Sequence, residues 1–92
     1  MFKPLFHLGQ VVATPGCLDE LSKNNQSPSE LLSRHVRGDW GSLCPEDTQA
    51  NQDAVEQGDR LLSVYKLNDG STVRVITEWD RSATTCLLPS EY

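Results

Sequence analysis

Between Leu61 and Leu88, apolar and polar side chains alternate in three short runs separated by two sharp turn signals. Leu62, Val64 and Lys66 alternate with Leu61, Ser63, Tyr65 and Leu67. From Thr72 to Trp79, Val73, Val75, Thr77 and Trp79 alternate with Arg74, Ile76 and Glu78, and a third run extends from Ala83 to Leu88, before Pro89. A period of two marks a strand, because successive side chains leave opposite faces of the pleated backbone. Asn68-Asp69-Gly70-Ser71 contains an Asp-Gly pair, which tolerates the positive φ of a tight hairpin, and Asp80-Arg81-Ser82 reverses the chain again. The pattern predicts a three-stranded antiparallel meander. Such a sheet cannot bury its apolar side alone, so the rest of the chain must cover it.

Upstream of Gly58 the spacing is helical. Thr14 is placed to cap a helix with Pro15 in its first turn, with Leu18 and Leu21 on one face and Asn24-Asn25 at its end. Ser27-Pro28-Ser29-Glu30 reads as a capping box for a second helix, whose apolar stripe is Leu31, Leu32, His35 and Val36 and whose left-handed stop is Gly38. Cys44-Pro45-Glu46-Asp47 opens a third, running to about Gln57 and stopping at Gly58, with only Ala50, Ala54 and Val55 to bury. Ahead of all three, Phe6 to Ala13 carries Val11-Val12 and reads as a strand for one edge of the meander; Ser90-Glu91-Tyr92 forms a short tail. The fold class is α+β: two or three helices packed on one face of a small antiparallel sheet, in a single domain spanning 1–92.

The length of 92 residues leaves no room for a second domain. Thirteen acidic against eight basic residues give a net charge of −5, opposite to the basic stripe that a phosphate backbone selects, which disfavours direct nucleic-acid binding. No run approaches the ~18 apolar residues of a membrane span. Met1-Phe2-Lys3-Pro4-Leu5-Phe6-His7-Leu8 lacks the apolar core and cleavage site of a signal peptide, so a cytoplasmic location is expected. Cys17, Cys44 and Cys86 are odd in number and scattered, which fits reduced thiols rather than a disulfide framework or a zinc site. No phosphate-binding glycine loop, metalloprotease helix, nucleophile elbow or calcium loop occurs, so no cofactor or metal is expected and no catalytic residue is assigned.

Two polar clusters remain as candidate sites. Arg34, His35, Arg37, Asp39 and Trp40 gather at the end of the second helix and in the Gly-rich loop after it, where His35 reads first as a packing residue and Trp40 first as an anchor over the core. Glu78-Trp79-Asp80-Arg81-Ser82-Ala83-Thr84-Thr85 crowds charges and hydroxyls around a reversal, and turn chemistry explains most of it.

The segments Leu8-Gly9-Gln10-Val11-Val12-Ala13-Thr14-Pro15-Gly16, Arg34-His35-Val36-Arg37-Gly38-Asp39-Trp40-Gly41, Arg60-Leu61-Leu62-Ser63 and Ile76-Thr77-Glu78-Trp79-Asp80-Arg81-Ser82-Ala83-Thr84-Thr85 together resemble a family of small uncharacterised bacterial proteins associated with plasmids and other mobile elements. Members sometimes bear the label of a type I restriction-modification M subunit. The residues oppose reading that label as an activity: an amino-methyltransferase needs a doubly wound domain of a few hundred residues and an Asn-Pro-Pro-aromatic motif. None of the five prolines here follows an asparagine.

The leading expectation is therefore a non-enzymatic accessory or interaction protein of a mobile element. It would bind a protein partner through Arg37, Asp39, Trp40, Asp80 and Arg81, with homodimerisation through a sheet edge as a further expectation. The alternative is a small enzyme or ligand-binding domain using His35, Asp39, Arg81, Thr84 and Thr85, which requires them to line a pocket. A third, less favoured reading is an acidic mimic of nucleic acid carried by Glu46, Asp47, Asp53, Glu56 and Asp59.

Overall fold

The meander forms as its alternation requires, and the computed structural model describes residues 4–91. Met1, Phe2, Lys3 and Tyr92 lie outside the described residues. Strands β2 (Leu61–Lys66), β3 (Thr72–Thr77) and β4 (Ala83–Leu87) pair antiparallel in sequence order. The first hairpin closes through Gly70 at φ 88°, with Leu67 N–H donating to the Ser71 carbonyl at 2.8 Å. Ahead of the meander come β1 (Gln10–Ala13), α1 (Pro15–Lys23), α2 (Pro28–Val36) and α3 (Pro45–Gln57), and Pro89–Glu91 forms a final 3-10 turn. The sheet order is β1-β4-β3-β2, with β1 parallel to β4, so the sheet is mixed rather than wholly antiparallel.

The N-terminal strand starts four residues later than its apolar run suggests. Gly9 sits at φ 66°, and a Cβ there would overlap the Arg81 carbonyl oxygen, so the chain bends at this close approach instead of extending. The bend turns Phe6 inward, where it is buried.

On the helix-facing side of the sheet lie Leu61, Ser63 and Tyr65, then Val73, Val75 and Thr77, then Thr84 and Cys86, all buried. Two apolar clusters form over them. One joins Cys17 and Leu21 of α1 and Leu31 of α2 to Tyr65, Leu67, Val73, Val75 and Cys86. The other joins Phe6, Val36, Trp40, Ala54 and Leu61. Helix α2 serves both, and His35 lies between its contributions to them.

Several local expectations are corrected by this packing. Thr14 caps α1 as predicted, accepting from Cys17 N–H at 3.2 Å, but the buried stripe is Cys17 and Leu21, while Leu18 faces outward. The capping box at Ser27 is not made: the Ser27 hydroxyl meets Ser29 Oγ at 3.1 Å, and Glu30 accepts from Gln26 Nε2 at 2.7 Å. Pro28 supplies the preorganised first turn without it. In α3, Ala50 is exposed and Asn51 takes the inward position. Trp79 falls beyond the end of β3 and stands in solvent, since the strand twists into the turn after Thr77.

Asn51 is inward for a reason that apolar periodicity cannot register. Its side-chain amide copies a peptide group: Nδ2 donates to the Leu62 carbonyl at 2.5 Å and Oδ1 accepts from Leu62 N–H at 3.1 Å. Next along β2, Val64 N–H donates to the Trp40 carbonyl at 3.0 Å, and the Val64 carbonyl accepts from Ser42 N–H at 2.7 Å. Replacing Asn51→Ala strands both Leu62 groups and is expected to cost about 1–3 kcal/mol. Urea unfolding of the variant checks this, and an unchanged midpoint would remove Asn51 from the account of the β2 edge.

Candidate functional site

The residues singled out from the sequence do come together around the end of α2, but they spend their polar groups on one another. His35 is fully buried. Its Nδ1 lies 2.5 Å from Ser63 Oγ and its Nε2 2.9 Å from Thr77 Oγ1; Thr77 Oγ1 lies 2.8 Å from Thr84 Oγ1, which donates to the Leu8 carbonyl at 2.7 Å. Each hydroxyl has one proton, so the direction of the chain is determined. A backbone carbonyl can only accept, so Thr84 uses its proton on Leu8. Thr84 then accepts from Thr77, Thr77 accepts from His35 Nε2–H, and Nδ1 accepts from Ser63. The chain makes Nε2 a donor, and Nδ1 accepts from Ser63 when the ring is the neutral Nε2–H tautomer.

Burial supports the same state by pushing the His35 pKa down to about 4, with the nearby Arg81 guanidinium acting in the same direction. The arrangement of Ser63, His35 and Thr77 has the elements of a nucleophile and base, but all three are sealed from solvent. It can join helix to sheet through a satisfied polar seam; it cannot meet a substrate in this form.

The loop after α2 is equally occupied. Asp39 receives Arg34 at 2.8 Å through Nε and 3.3 Å through Nη2, and also accepts from Gly41 N–H at 3.2 Å. The hydrogen bond from Arg34 holds the Asp39 carboxyl below its ordinary range. Arg34 lies over the Tyr65 ring at 4.5 Å, and the Tyr65 hydroxyl donates to the Asp39 carbonyl at 2.7 Å. Trp40 is only 5% exposed, packed against Phe6 at 6.2 Å and edge-on to His35 at 5.6 Å between ring centroids. Trp40 is therefore the core anchor and not an accessible contact residue. Arg37 is exposed at the end of α2, lining a cleft of about 260 Å³ with Leu5, Gly38, Gln52, Val55, Glu56 and the edge of Trp40.

Arg81 is the brace of the β3–β4 turn. It adopts a left-handed backbone at φ 61°. Nη1 donates to the carbonyls of Asp59 at 2.6 Å, Glu78 at 3.1 Å and Trp79 at 3.3 Å, and Nη2 donates to Ala54 at 2.9 Å. The Ala54 carbonyl belongs to the last turn of α3, so the guanidinium satisfies a helix C-terminus and a hairpin with one side chain. Beside it, Asp80 accepts from Ser82 N–H at 3.1 Å, the Ser82 side chain and then its N–H hold the Asp80 carboxyl below its ordinary range, and Trp79 is 65% exposed.

The five residues of the ligand-site alternative do not line one pocket. His35 and Thr84 are buried, Asp39 is paired with Arg34, and Arg81 is spent on carbonyls. Thr85 points to the opposite face of the sheet, into a cleft of about 300 Å³ lined by Arg60, Ile76, Glu78, Thr85, Leu87 and Glu91. On α3, Glu46, Asp53 and Glu56 share one side, while helical geometry turns Asp47 about 100° away from Glu46. Asp53 accepts from Gln49 at 3.1 Å, and Asp59 follows the helix. Among the described residues no three of His, Cys, Asp and Glu converge on a metal position. No described helix is long and apolar enough to cross a membrane. Burial raises the Cys17 and Cys86 thiols to about 11 and about 12, which leaves them protonated and unreactive at neutral pH.

Sequence reasoning missed Ser63 and Thr77 as partners of His35 and missed the exposure of Trp79. A signal for the first was present: Ser63 and Thr77 are polar residues at strand positions whose neighbours in period two are apolar. No family model, curated protein or solved structure matches the chain.

Proposed function

We propose that this chain is an accessory protein without catalytic activity of its own that recognises a protein partner through the β3–β4 turn at Trp79 and Asp80. The observation that carries the reading is Trp79, an indole 65% exposed on a turn whose backbone carbonyls are tied down by Arg81. Tryptophan is the side chain most enriched among binding hot spots, and a large aromatic on a preorganised turn gives contact area with little ordering cost on association. The polar cluster at Asp39 supports the same reading indirectly, because its groups are satisfied within the chain and leave no poised acid, base or nucleophile. The proposed contact thus centres on Trp79 and Asp80 rather than on Trp40. The setting we propose is cytoplasmic, as an accessory of a plasmid or other mobile element, in line with the resemblance of the segments quoted above.

Trp79→Ala tests this directly. The side chain buries little, so stability is expected to change by less than about 0.5 kcal/mol. Capture of a partner from an extract of the native host is expected to fall at least about tenfold, the loss of a modest hot spot. Acrylamide should quench Trp79 but spare Trp40, and partner binding should shield Trp79. Equal capture by the folded variant rejects this turn as the contact.

A further inference from the structure

The two edges of the sheet are finished differently. Along β2, the outward groups of Leu62 and Val64 are taken by Asn51, Trp40 and Ser42 of the same chain. Along β1, Gln10 N–H donates to the Ser82 carbonyl and Thr14 N–H to the Cys86 carbonyl, both at 3.0 Å. Residues 10, 12 and 14 therefore face β4, and the alternation of a strand turns the N–H and C=O of Val11 and Ala13 away from the sheet. Val11 and Val12 are 45% and 43% exposed. Natural edge strands are normally blunted by a lysine, a proline or a bulge. Here no charged residue occurs from Leu8 to Gly16, and β1 itself contains no proline.

We propose that β1 is a self-association edge: two copies pair their β1 strands antiparallel about a two-fold axis at Val12, joining their sheets into one. The hydrogen bonding is self-complementary in this register. Val11 of each copy meets Ala13 of the other and exchanges both backbone hydrogen bonds with it, while Val12 meets Val12 in the closely spaced, non-hydrogen-bonded position. The net charge of −5 opposes the approach of two copies, but no residue from Leu8 to Gly16 is charged, so the paired strands themselves add no like-charge contact at the axis. The pairing also continues an existing row: the register aligns Val12 with Thr85, Ile76 and Leu62 on the side of the sheet away from the helices. A strand of four residues buries little area, so the dimer is reversible and dissociates on dilution.

Sedimentation equilibrium of the full chain from low to high micromolar concentration should show a monomer–dimer equilibrium that tightens as added salt screens the net charge. Val12→Lys sets two ammonium groups against each other across the axis and should weaken dimerisation at least about tenfold. Val11→Pro removes an N–H that the monomer does not use and should do the same with the fold retained, which covers the case of a poorly folded lysine variant. Val12→Cys in a Cys44→Ser background should cross-link to a disulfide dimer under mild oxidation, and Gln10→Cys should not. A strict monomer throughout the range overturns the proposal, as does undiminished dimerisation of the folded Val11→Pro variant. These measurements use the protein alone, so their outcome is separate from that of partner capture through Trp79.

Discussion

Acidifying this protein from pH 7 to pH 4 is expected to remove about 3 kcal/mol of its stability through His35 alone. The histidine pKa lies near 6.5 in an unfolded chain and is pushed down to about 4 in the fold, mainly by burial and further by the Arg81 charge. Each pH unit between those values is worth about 1.4 kcal/mol. The sign follows from which state binds the proton. Between pH 6.5 and pH 4 the unfolded chain is protonated and the folded chain is not, so protons pull the equilibrium toward unfolding. The stabilisation is complete above pH 6.5, declines through that window, and stops changing once the folded histidine itself titrates. A domain of this size commonly has only about 5–14 kcal/mol to lose.

Protonation also reverses one hydrogen bond, because the Ser63 hydroxyl must turn from donor to acceptor. A charged imidazole must donate from Nδ1, where the neutral ring accepts from Ser63. Urea unfolding at several pH values for the wild type and for His35→Gln provides the check, with His7 present in both. The wild type should lose midpoint steeply between pH 6.5 and 4, and the variant should start lower and respond far less over that interval. A variant that keeps the full acid response would assign it to other groups.

Replacing Arg81→Ala is expected to destabilise the protein by about 1.5–3 kcal/mol, the worth of charge-assisted hydrogen bonding, although the Ala54 and Glu78 carbonyls keep backbone N–H partners from Gly58, Asp59 and residue 81 itself. The side chain donates to Ala54, Asp59, Glu78 and Trp79, so its loss removes the link between the end of α3 and the β3–β4 turn. Two comparisons separate side chain from backbone. Arg81→Gly removes the same donors but suits the left-handed conformation at φ 61°, so it should be about 1 kcal/mol less damaging than alanine. Arg81→Lys keeps the charge but lacks the planar fork, and it should recover only a minor part of the loss. Thermal unfolding of the three variants tests the order glycine above alanine and lysine above alanine. A small common effect would show that the turn holds without its brace.

The elements most legible in the sequence are those determined by neighbours along the chain. Asp69-Gly70 specifies a tight reversal whatever surrounds it, and Pro15, Pro28 and Pro45 each mark a helical first turn. The limits of that reading are instructive. Ser27 has the spacing of a capping box, yet its hydroxyl turns to Ser29, since an exposed helix start can be satisfied by water. Leu18 and Trp79 are apolar and exposed, while Asn51 is polar and buried. Hydrophobic period cannot sort these, because it counts side chains and not the unpaired backbone groups that Asn51 serves on β2. The residues singled out from the sequence do gather around the end of α2 and the β3–β4 turn, but their polar groups are spent within the chain. His35, Asp39 and Arg81 emerge as three structural joints and Trp40 as an anchor, and Trp79 takes the exposed position.

What the sequence determined by itself is the inventory of elements, their class and most of their boundaries. Periodicity, caps and turn residues act over a few bonds, and their energies do not depend on what packs above them. Only the tertiary structure decided that β1 joins β4 in parallel and that β2 is sealed by Asn51, Trp40 and Ser42. The same is true of a single proton order running from Ser63 through His35 to Leu8. Each of these depends on polar groups brought together from distant parts of the chain, where burial forces every donor to find an acceptor, and no local pattern records which one it finds.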